Sequence, residues 1–247
     1  VGIAFLVALV ALPRVLHAVE AVSWPRDHRL GWPVRTAAAA RSAQESVSES
    51  FRSLLRDRMI LLTMVVRLTS ALSFGVFNML AGPKLVDAGG GFESLGLFVF
   101  GGAVAGGTAQ VLVGSLSDRF GRRRLLAISA AIAVGSSIAF GLVGTIPLLL
   151  VASSLHWFSQ SAFQTLLVAL VGDIVPRADL GRAMTLQTSS FSAGMFTGAL
   201  IAGLLATVSI LIAFFVTAAF LSIGLLATIA MPMTGVAGVQ TAREIQK

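Results

Sequence analysis

Residues 114–124 run Gly-Ser-Leu-Ser-Asp-Arg-Phe-Gly-Arg-Arg-Arg, and they join two apolar stretches of this 247-residue chain through a polar loop, 117–124. The glycine at position 121 permits a tight turn. Asp118 can accept hydrogen bonds from arginines or from a helix N-terminus, whose dipole favours an anion. The arginines can pair with lipid phosphates at a membrane surface or with nearby carboxylates. A requirement for positive charge alone would explain the arginines, but it would not explain the spacing of the glycines and the aspartate.

Apolar stretches extend from this loop in both directions. Hydrophobic residues make up 56% of the chain and charged residues 12%, whereas a soluble domain has roughly 25% charged residues. Six of seven apolar stretches approach or exceed the ~20 residues that a helix needs to cross ~30 Å of hydrocarbon. The stretches cover residues 1–22, 59–81, 94–116, 125–143, 146–172, 183–208 and 210–231. The sequence therefore predicts an all-α integral membrane protein, which excludes a soluble enzyme, a disordered chain and, without cysteine, a disulfide scaffold.

The first stretch differs from the others because Arg14 interrupts it after thirteen residues. We expect residues 1–22 to be a transmembrane helix truncated at its outer end; a cleaved signal peptide, the alternative, would carry its charge before the apolar run. Residues 23–57 form a cytoplasmic linker with apolar residues on one helical face, at Val47, Phe51, Leu54 and Leu55. An amphipathic helix on the inner membrane surface and a flexible linker both fit it. Residues 58–232 are predicted to form a six-helix transmembrane bundle and residues 233–247 a cytoplasmic tail.

Positive charges concentrate on one side of the predicted membrane. Of the eighteen Lys and Arg, sixteen lie where alternate crossings put them on the same side, while Lys84 lies opposite and Arg67 lies within a span. The sixteen are Arg14, Arg26, Arg29, Arg35, Arg41, Arg52, Arg56, Arg58, Arg119, Arg122, Arg123, Arg124, Arg177, Arg182, Arg243 and Lys247. Because Lys and Arg collect on the cytoplasmic side, we expect a plasma-membrane protein with a cytoplasmic C-terminus. The net charge of +7 then follows from topology, and it requires no nucleic acid.

The 114–124 loop resembles the loop signature of the major facilitator superfamily. The matching positions are Gly114, Asp118, Arg119, Gly121, Arg122 and Arg123. A weaker second match starts with Asp173-Ile-Val-Pro and continues with Gly181-Arg182-Ala-Met, where the family has Arg before Gly. The resemblance implies secondary active transport of a small solute across a lipid bilayer by alternating access, with no cofactor and no metal. It also implies that the matching residues, together with Asp173 and Arg182, form a conformational switch. In this switch we expect Asp118, Arg122 and Asp173 to form a charge cluster at the inner ends of three spans.

The resemblance covers one six-helix half of such a transporter, because a complete one has twelve spans and roughly 400 residues. The partial span and basic linker before residue 59 favour the C-terminal half, whose partner would be a complementary N-terminal half. An N-terminal half with an extra leading helix is the alternative, since Gly194, Gly198 and Gly203 faintly resemble the family's antiporter motif. Ala199 stands where that motif has proline.

Polar side chains within the spans predict a solute path, because such groups are costly in lipid and tend to face a cavity or a partner. Arg67 and Asn78 share one face of their span with Phe74, and Arg67 lies about 13 Å deep at 1.5 Å per residue. On another span, one face carries His156, Gln160 and Gln164. We expect these five polar side chains to face one central cavity. The alternative for Arg67 is that it snorkels to the cytoplasmic headgroups.

Two glycine pairs indicate where helices approach each other closely. Gly102 with Gly106 and Gly194 with Gly198 have the four-residue spacing that places both glycines on one helix face. Small residues at this spacing allow membrane helices to pack backbone against backbone. We therefore expect these pairs to serve packing.

Other classes of function fit the residues less well. An enzyme is not indicated, because there is no cysteine, the three histidines are scattered and no nucleotide-binding loop is present. A retinal protein needs a lysine inside the membrane, and neither lysine lies within a span. A non-transporting membrane scaffold or receptor-like protein derived from a transporter half is the alternative to transport. Because no Asp or Glu lies deep in a span, any proton-coupling acid would belong to the other half, unless His156 takes part.

Overall fold

A computed structural model describes residues 54–231. The expected truncated span (1–22), most of the linker (23–57) and the tail (233–247) lie outside these described residues. The six helices found within them are α1 (Arg58–Asp87), α2 (Phe92–Phe120), α3 (Arg122–Leu142), α4 (Ile146–Ile174), α5 (Leu180–Ala206) and α6 (Ile210–Ala230). Each coincides with one predicted span, and the predicted all-α fold is confirmed.

Five of these helices are long and apolar enough to cross a membrane. The other helix, α4, has 29 residues, but it carries His156, Gln160 and Gln164 near its middle, and these lower its mean hydropathy. The sequence predicted all six as spans. The polar side chains of α4 account for this difference between the predicted and the observed number of spans. Contacts with neighbouring helices bury His156 and Gln160.

The segment that joins α2 to α3 is almost entirely helical. Only Gly121 separates the two helices, and its φ of 85° lies in the left-handed region that favours glycine. The N–H of Gly121 donates to the carbonyl oxygen of Ser117 at 3.0 Å. The sequence predicted an eight-residue loop here. The charged residues extend the helices instead, because a single glycine is enough to reverse the chain.

Four helices form the centre of the bundle. In a closed ring, α1 packs on α6, α6 on α3, α3 on α4 and α4 on α1, while α5 packs on α1 and α2 packs on α4. Three fully buried phenylalanine side chains fill one end of this four-helix centre. The ring centroids of Phe77 and Phe140 lie 4.9 Å apart, and those of Phe140 and Phe214 lie 5.0 Å apart. Since lipid is as apolar as these side chains, close van der Waals packing is the main attraction between the helices.

Glycines bring the backbones of α1 and α5 into contact. A Cβ atom on Gly75 would lie 2.6 Å from the carbonyl oxygen of Met195, and one on Gly194 would lie 2.7 Å from that of Leu68. A Cβ atom on Gly198 would overlap a carbonyl oxygen of α1. Real Cβ atoms do not approach backbone so closely, so only glycine fits at these three positions.

The second glycine pair has the same role between α2 and α4. A Cβ atom on Gly102 would lie 3.0 Å from the indole ring of Trp157, and one on Gly106 would lie 2.7 Å from the hydroxyl of Ser161. The prediction that both glycine pairs serve helix packing is confirmed. Because Gly102 has no side chain, the indole of Trp157 packs directly against the backbone of α2.

Candidate functional site

A cluster of three charged residues lies beside the Gly121 turn; we call it the turn charge cluster. Arg122 Nη1 lies 2.9 Å from Asp173 Oδ2 on α4, and Arg122 Nη2 lies 4.0 Å from Asp118 Oδ1 on α2. The side chain of Arg122 is 27% exposed, while those of Asp173 and Asp118 are 48% and 74% exposed. A partly exposed pair of this kind contributes about 0–1 kcal/mol to stability. The cluster therefore links three helices through contacts that cost little to break.

The neighbouring Arg123 links the same turn to the end of α6. Its Nε donates to the carbonyl oxygen of Thr228 at 3.3 Å, and its Nη2 donates to that of Ile229. The last carbonyls of a helix have no partner within the helix, and a cation there also favours the helix dipole. Nothing in the sequence predicted this contact, because the end of α6 is apolar and offers only backbone oxygens.

The remaining residues of the expected switch lie around the cluster. Arg182 Nη1 pairs with Asp179 Oδ1 at 2.7 Å at the start of α5. Arg119 is exposed, and it forms no ion pair with another residue of the described range. Gly114 lies within α2, where a Cβ atom would meet no atom within 4 Å. The structure thus gathers Asp118, Arg122 and Asp173 and places Arg182 with a different carboxylate.

His156 lies in the core of the bundle. Its side chain is fully buried, and its ring stacks on Phe77 with centroids 3.8 Å apart and planes 14° apart. The Nδ1 atom lies 3.1 Å from the hydroxyl of Ser137 and 3.4 Å from that of Ser136, both on α3. The structure therefore places the His156 ring between α1 and α3 and not on an open face of the bundle.

Gln160 and Asn78 also form local contacts. The Oε1 atom of Gln160 accepts a hydrogen bond from Ser70 on α1 at 2.8 Å, and the Gln160 side chain is 1% exposed. Asn78 Nδ2 donates to the carbonyl oxygen of Phe74 in its own helix at 2.8 Å. Gln164 is half-buried. The five expected path residues therefore do not share one open face: Gln160 joins α1 to α4, and Asn78 bonds its own helix.

Arg67 lies within a cluster of aromatic rings. Its guanidinium carbon lies 4.5 Å above the centroid of Phe191, near the middle of α5, and both residues are half-buried. The Phe74 ring lies 6.5 Å from Phe191 and packs edge-on against Trp157 at 5.1 Å. We call Arg67, Phe74, Trp157 and Phe191 the aromatic–arginine cluster. Sequence analysis placed Arg67 and Phe74 on one face but missed Trp157 and Phe191.

The charge of Arg67 has no counter-ion among residues 54–231. Every acidic residue in that range lies at or beside a helix end: Asp57, Asp87, Glu93, Asp118, Asp173 and Asp179. The Nε and Nη1 atoms of Arg67 are buried and have no hydrogen-bond partner in this part of the chain. Within the same range no group of three His, Cys, Asp or Glu side chains could hold a metal ion. The bundle thus presents an unpaired cation at mid-depth.

Long apolar helices packed through small residues define a multi-pass membrane protein. Residues 63–237 match the family model of the Major Facilitator Superfamily, and this is more than half of the chain. The chain therefore belongs to the Major Facilitator Superfamily, whose members carry small solutes across lipid membranes and are generally not enzymes.

Two relatives in Mycobacterium tuberculosis support this assignment. Both are described as uncharacterized MFS-type transporters, one from strain CDC 1551 / Oshkosh and one from strain ATCC 25618 / H37Rv. Each is 33% identical to this chain over 99 residues, which is 40% of this chain and 14% of the relative. The chain therefore matches about a seventh of the length of these relatives, and their names specify no solute.

Proposed function

We propose that this chain is one of the two rocking bundles of a secondary active transporter and that it moves a small solute by alternating access. In this proposal it is the C-terminal half, and a complementary N-terminal half supplies the second bundle. The Arg122–Asp173 ion pair beside the one-residue turn at Gly121 carries the proposal. A transporter needs contacts that form in one access state and break in the other, at small cost in free energy.

The turn charge cluster has the properties of such a contact. It joins the end of α2, the start of α3 and the end of α4, and Arg123 extends the link to α6. Because a two-state equilibrium shifts tenfold for each 1.4 kcal/mol, removal of one weak pair changes the balance of access states without unfolding the bundle. The proposal includes the switch role that the resemblance implied for eight residues: Gly114, Asp118, Arg119, Gly121, Arg122, Arg123, Asp173 and Arg182.

Neutralising Asp173 tests the switch. We expect Asp173→Asn to lower transport by the intact protein up to about fivefold, the shift that corresponds to about 1 kcal/mol, with unchanged expression and thermal stability. Asp118→Asn should have a smaller effect, because its carboxylate is more exposed and lies at 4.0 Å instead of 2.9 Å. The measurement is accumulation of labelled sugars, amino acids and organic anions by cells that produce each variant.

The matched control is Arg177→Gln, which removes an exposed charge from the loop between α4 and α5. It should transport normally. Normal transport by Asp173→Asn would reject the switch assignment. A lack of transport of every solute by the unmodified protein together with its N-terminal half would favour the alternative, a non-transporting scaffold.

The proposed location is the plasma membrane, with the Gly121 turn and the C-terminus in the cytoplasm. The chain contains no cysteine, so single cysteines can report sidedness. We expect Asp87→Cys, at the far end of α1, to react with an impermeant maleimide added outside intact cells. Arg124→Cys, in the first turn of α3, should react only after permeabilisation. Reaction of both cysteines from outside would contradict the proposed orientation.

A further inference from the structure

We infer that the aromatic–arginine cluster binds an organic anion with a flat apolar group, such as an aromatic carboxylate. This inference rests on the proposed transport function and names the class of solute. The four residues of the cluster come from α1, α4 and α5, and Gly102 of α2 supports the indole of Trp157. None of them comes from α3 or α6, so the site lies on the part of the bundle away from the His156 core.

Unpaired donors define what the ligand must offer. Within residues 54–231, Arg67 Nε, Arg67 Nη1 and Trp157 Nε1 are buried without a hydrogen-bond partner, and both groups can only donate. A buried donor without an acceptor destabilises a protein. A ligand bound at Arg67 must therefore offer acceptor atoms, as a carboxylate does.

Charge restricts the ligand further. Arg67 carries a positive charge at mid-depth, and residues 54–231 contain no acid away from the helix ends. Charged groups inside a membrane pair with opposite charges or face water. An anionic solute would neutralise Arg67 during binding, whereas a cationic solute would be repelled by it.

The rings determine the shape of the apolar part. Phe74 packs edge-on against Trp157, and Phe191 lies under the guanidinium. Aromatic rings favour stacked or edge-on partners with centroids about 4.5–7 Å apart. A small inorganic anion would contact Arg67 but not these rings. A planar apolar group attached to the anion would contact them while its carboxylate reaches Arg67.

Benzoate is the test ligand. The chain contains three tryptophans, so Trp24→Phe and Trp32→Phe leave Trp157 as the only one. In lipid nanodiscs, binding of labelled benzoate and quenching of Trp157 fluorescence are measured together. We expect saturable binding of benzoate, at least tenfold weaker binding of acetate and benzyl alcohol, and no competition by benzylamine.

Variants of the cluster assign the binding to its residues. Arg67→Gln should weaken benzoate binding at least tenfold, Arg67→Lys should weaken it less, and Phe191→Leu should weaken it while Arg67 keeps its charge. Arg177→Gln, far from the cluster, should bind as the unmodified chain does. Thermal stability of each variant separates loss of binding from loss of folding.

The outcomes distinguish this inference from the proposed function. Benzoate binding that Arg67→Gln leaves unchanged, or no saturable benzoate binding by the folded chain, would overturn the inference. Absence of saturable benzoate binding is also expected if Arg67 pairs with a carboxylate from another part of the transporter. Transport of neutral or cationic solutes without benzoate binding would support the proposed function alone. Benzoate binding that depends on Arg67, without any transport, would support the binding site and reject the proposed function.

Discussion

Replacement of Gly198 by valine is expected to prevent α1 and α5 from packing and to remove most of the folded protein from the membrane. A Cβ atom at this position would overlap the carbonyl oxygen of Leu72, and it would lie 3.0 Å from the carbonyl carbon of the same residue. These atoms belong to the backbone, so no change of rotamer can make room. Overpacking of a core usually costs about 1–3 kcal/mol, and a clash with helix backbone should reach or exceed the upper end of that range.

The same substitution at Gly203 is the matched control. Gly203 lies on α5 as well, but it is exposed, and a Cβ atom there would meet no atom within 4 Å. Expression and melting temperature in detergent, measured by size-exclusion chromatography after heating, should separate Gly198→Val from Gly203→Val. Equal stability of the two variants would show that α1 and α5 do not meet at Gly198.

Replacement of His156 by alanine should produce the second large loss of stability. The imidazole is fully buried and stacks on Phe77 at 3.8 Å, so its removal leaves a cavity among α1, α3 and α4. Removal of a buried ring usually costs about 3 kcal/mol. The melting temperature of the purified protein measures this loss.

His156→Phe should remain close to the unmodified protein in stability. It keeps a ring on Phe77, and it removes the Nε2 atom, which is buried without a partner. The hydroxyls of Ser136 and Ser137 each keep a hydrogen bond to the carbonyl oxygen of Ala133, at 3.0 Å and 2.9 Å. Replacement of a buried polar contact by an apolar group of similar shape is often nearly neutral. If His156→Phe folds normally but abolishes transport, His156 has a role in transport beyond packing.

The positions and type of the helices could be predicted from the sequence because they depend on local composition. An apolar run of about twenty residues has to be helical in lipid, where every backbone group must be satisfied within the segment. The glycine pairs were predictable for a related reason: two small residues four positions apart leave a groove on one helix face. The charged turn was recognisable from Gly121, Asp118 and Arg122, which lie close together in the chain.

The solute path was less predictable. A helical face of polar residues indicates which side chains point the same way, but it does not indicate which neighbouring helix lies opposite them. His156 and Trp157 are adjacent in the chain and point about 100° apart on α4, so one lies in the core and the other in the aromatic–arginine cluster. The apolar side chains that complete that cluster, Trp157 and Phe191, carry no pattern that separates them from ordinary packing residues.

The sequence by itself determined that this chain crosses a membrane as helices, where those helices turn, and which family it resembles. These properties follow from the solubility of each segment in lipid and from contacts between near neighbours in the chain. Only the tertiary structure decided that Arg122 lies 2.9 Å from Asp173 within the predicted charge cluster, that Arg123 bonds the end of α6 and that Arg67 lies over Phe191 without a counter-ion among residues 54–231. Each of these contacts joins residues about fifty to more than a hundred positions apart. They depend on which helices pack together, and that is decided by side-chain shape across the whole bundle.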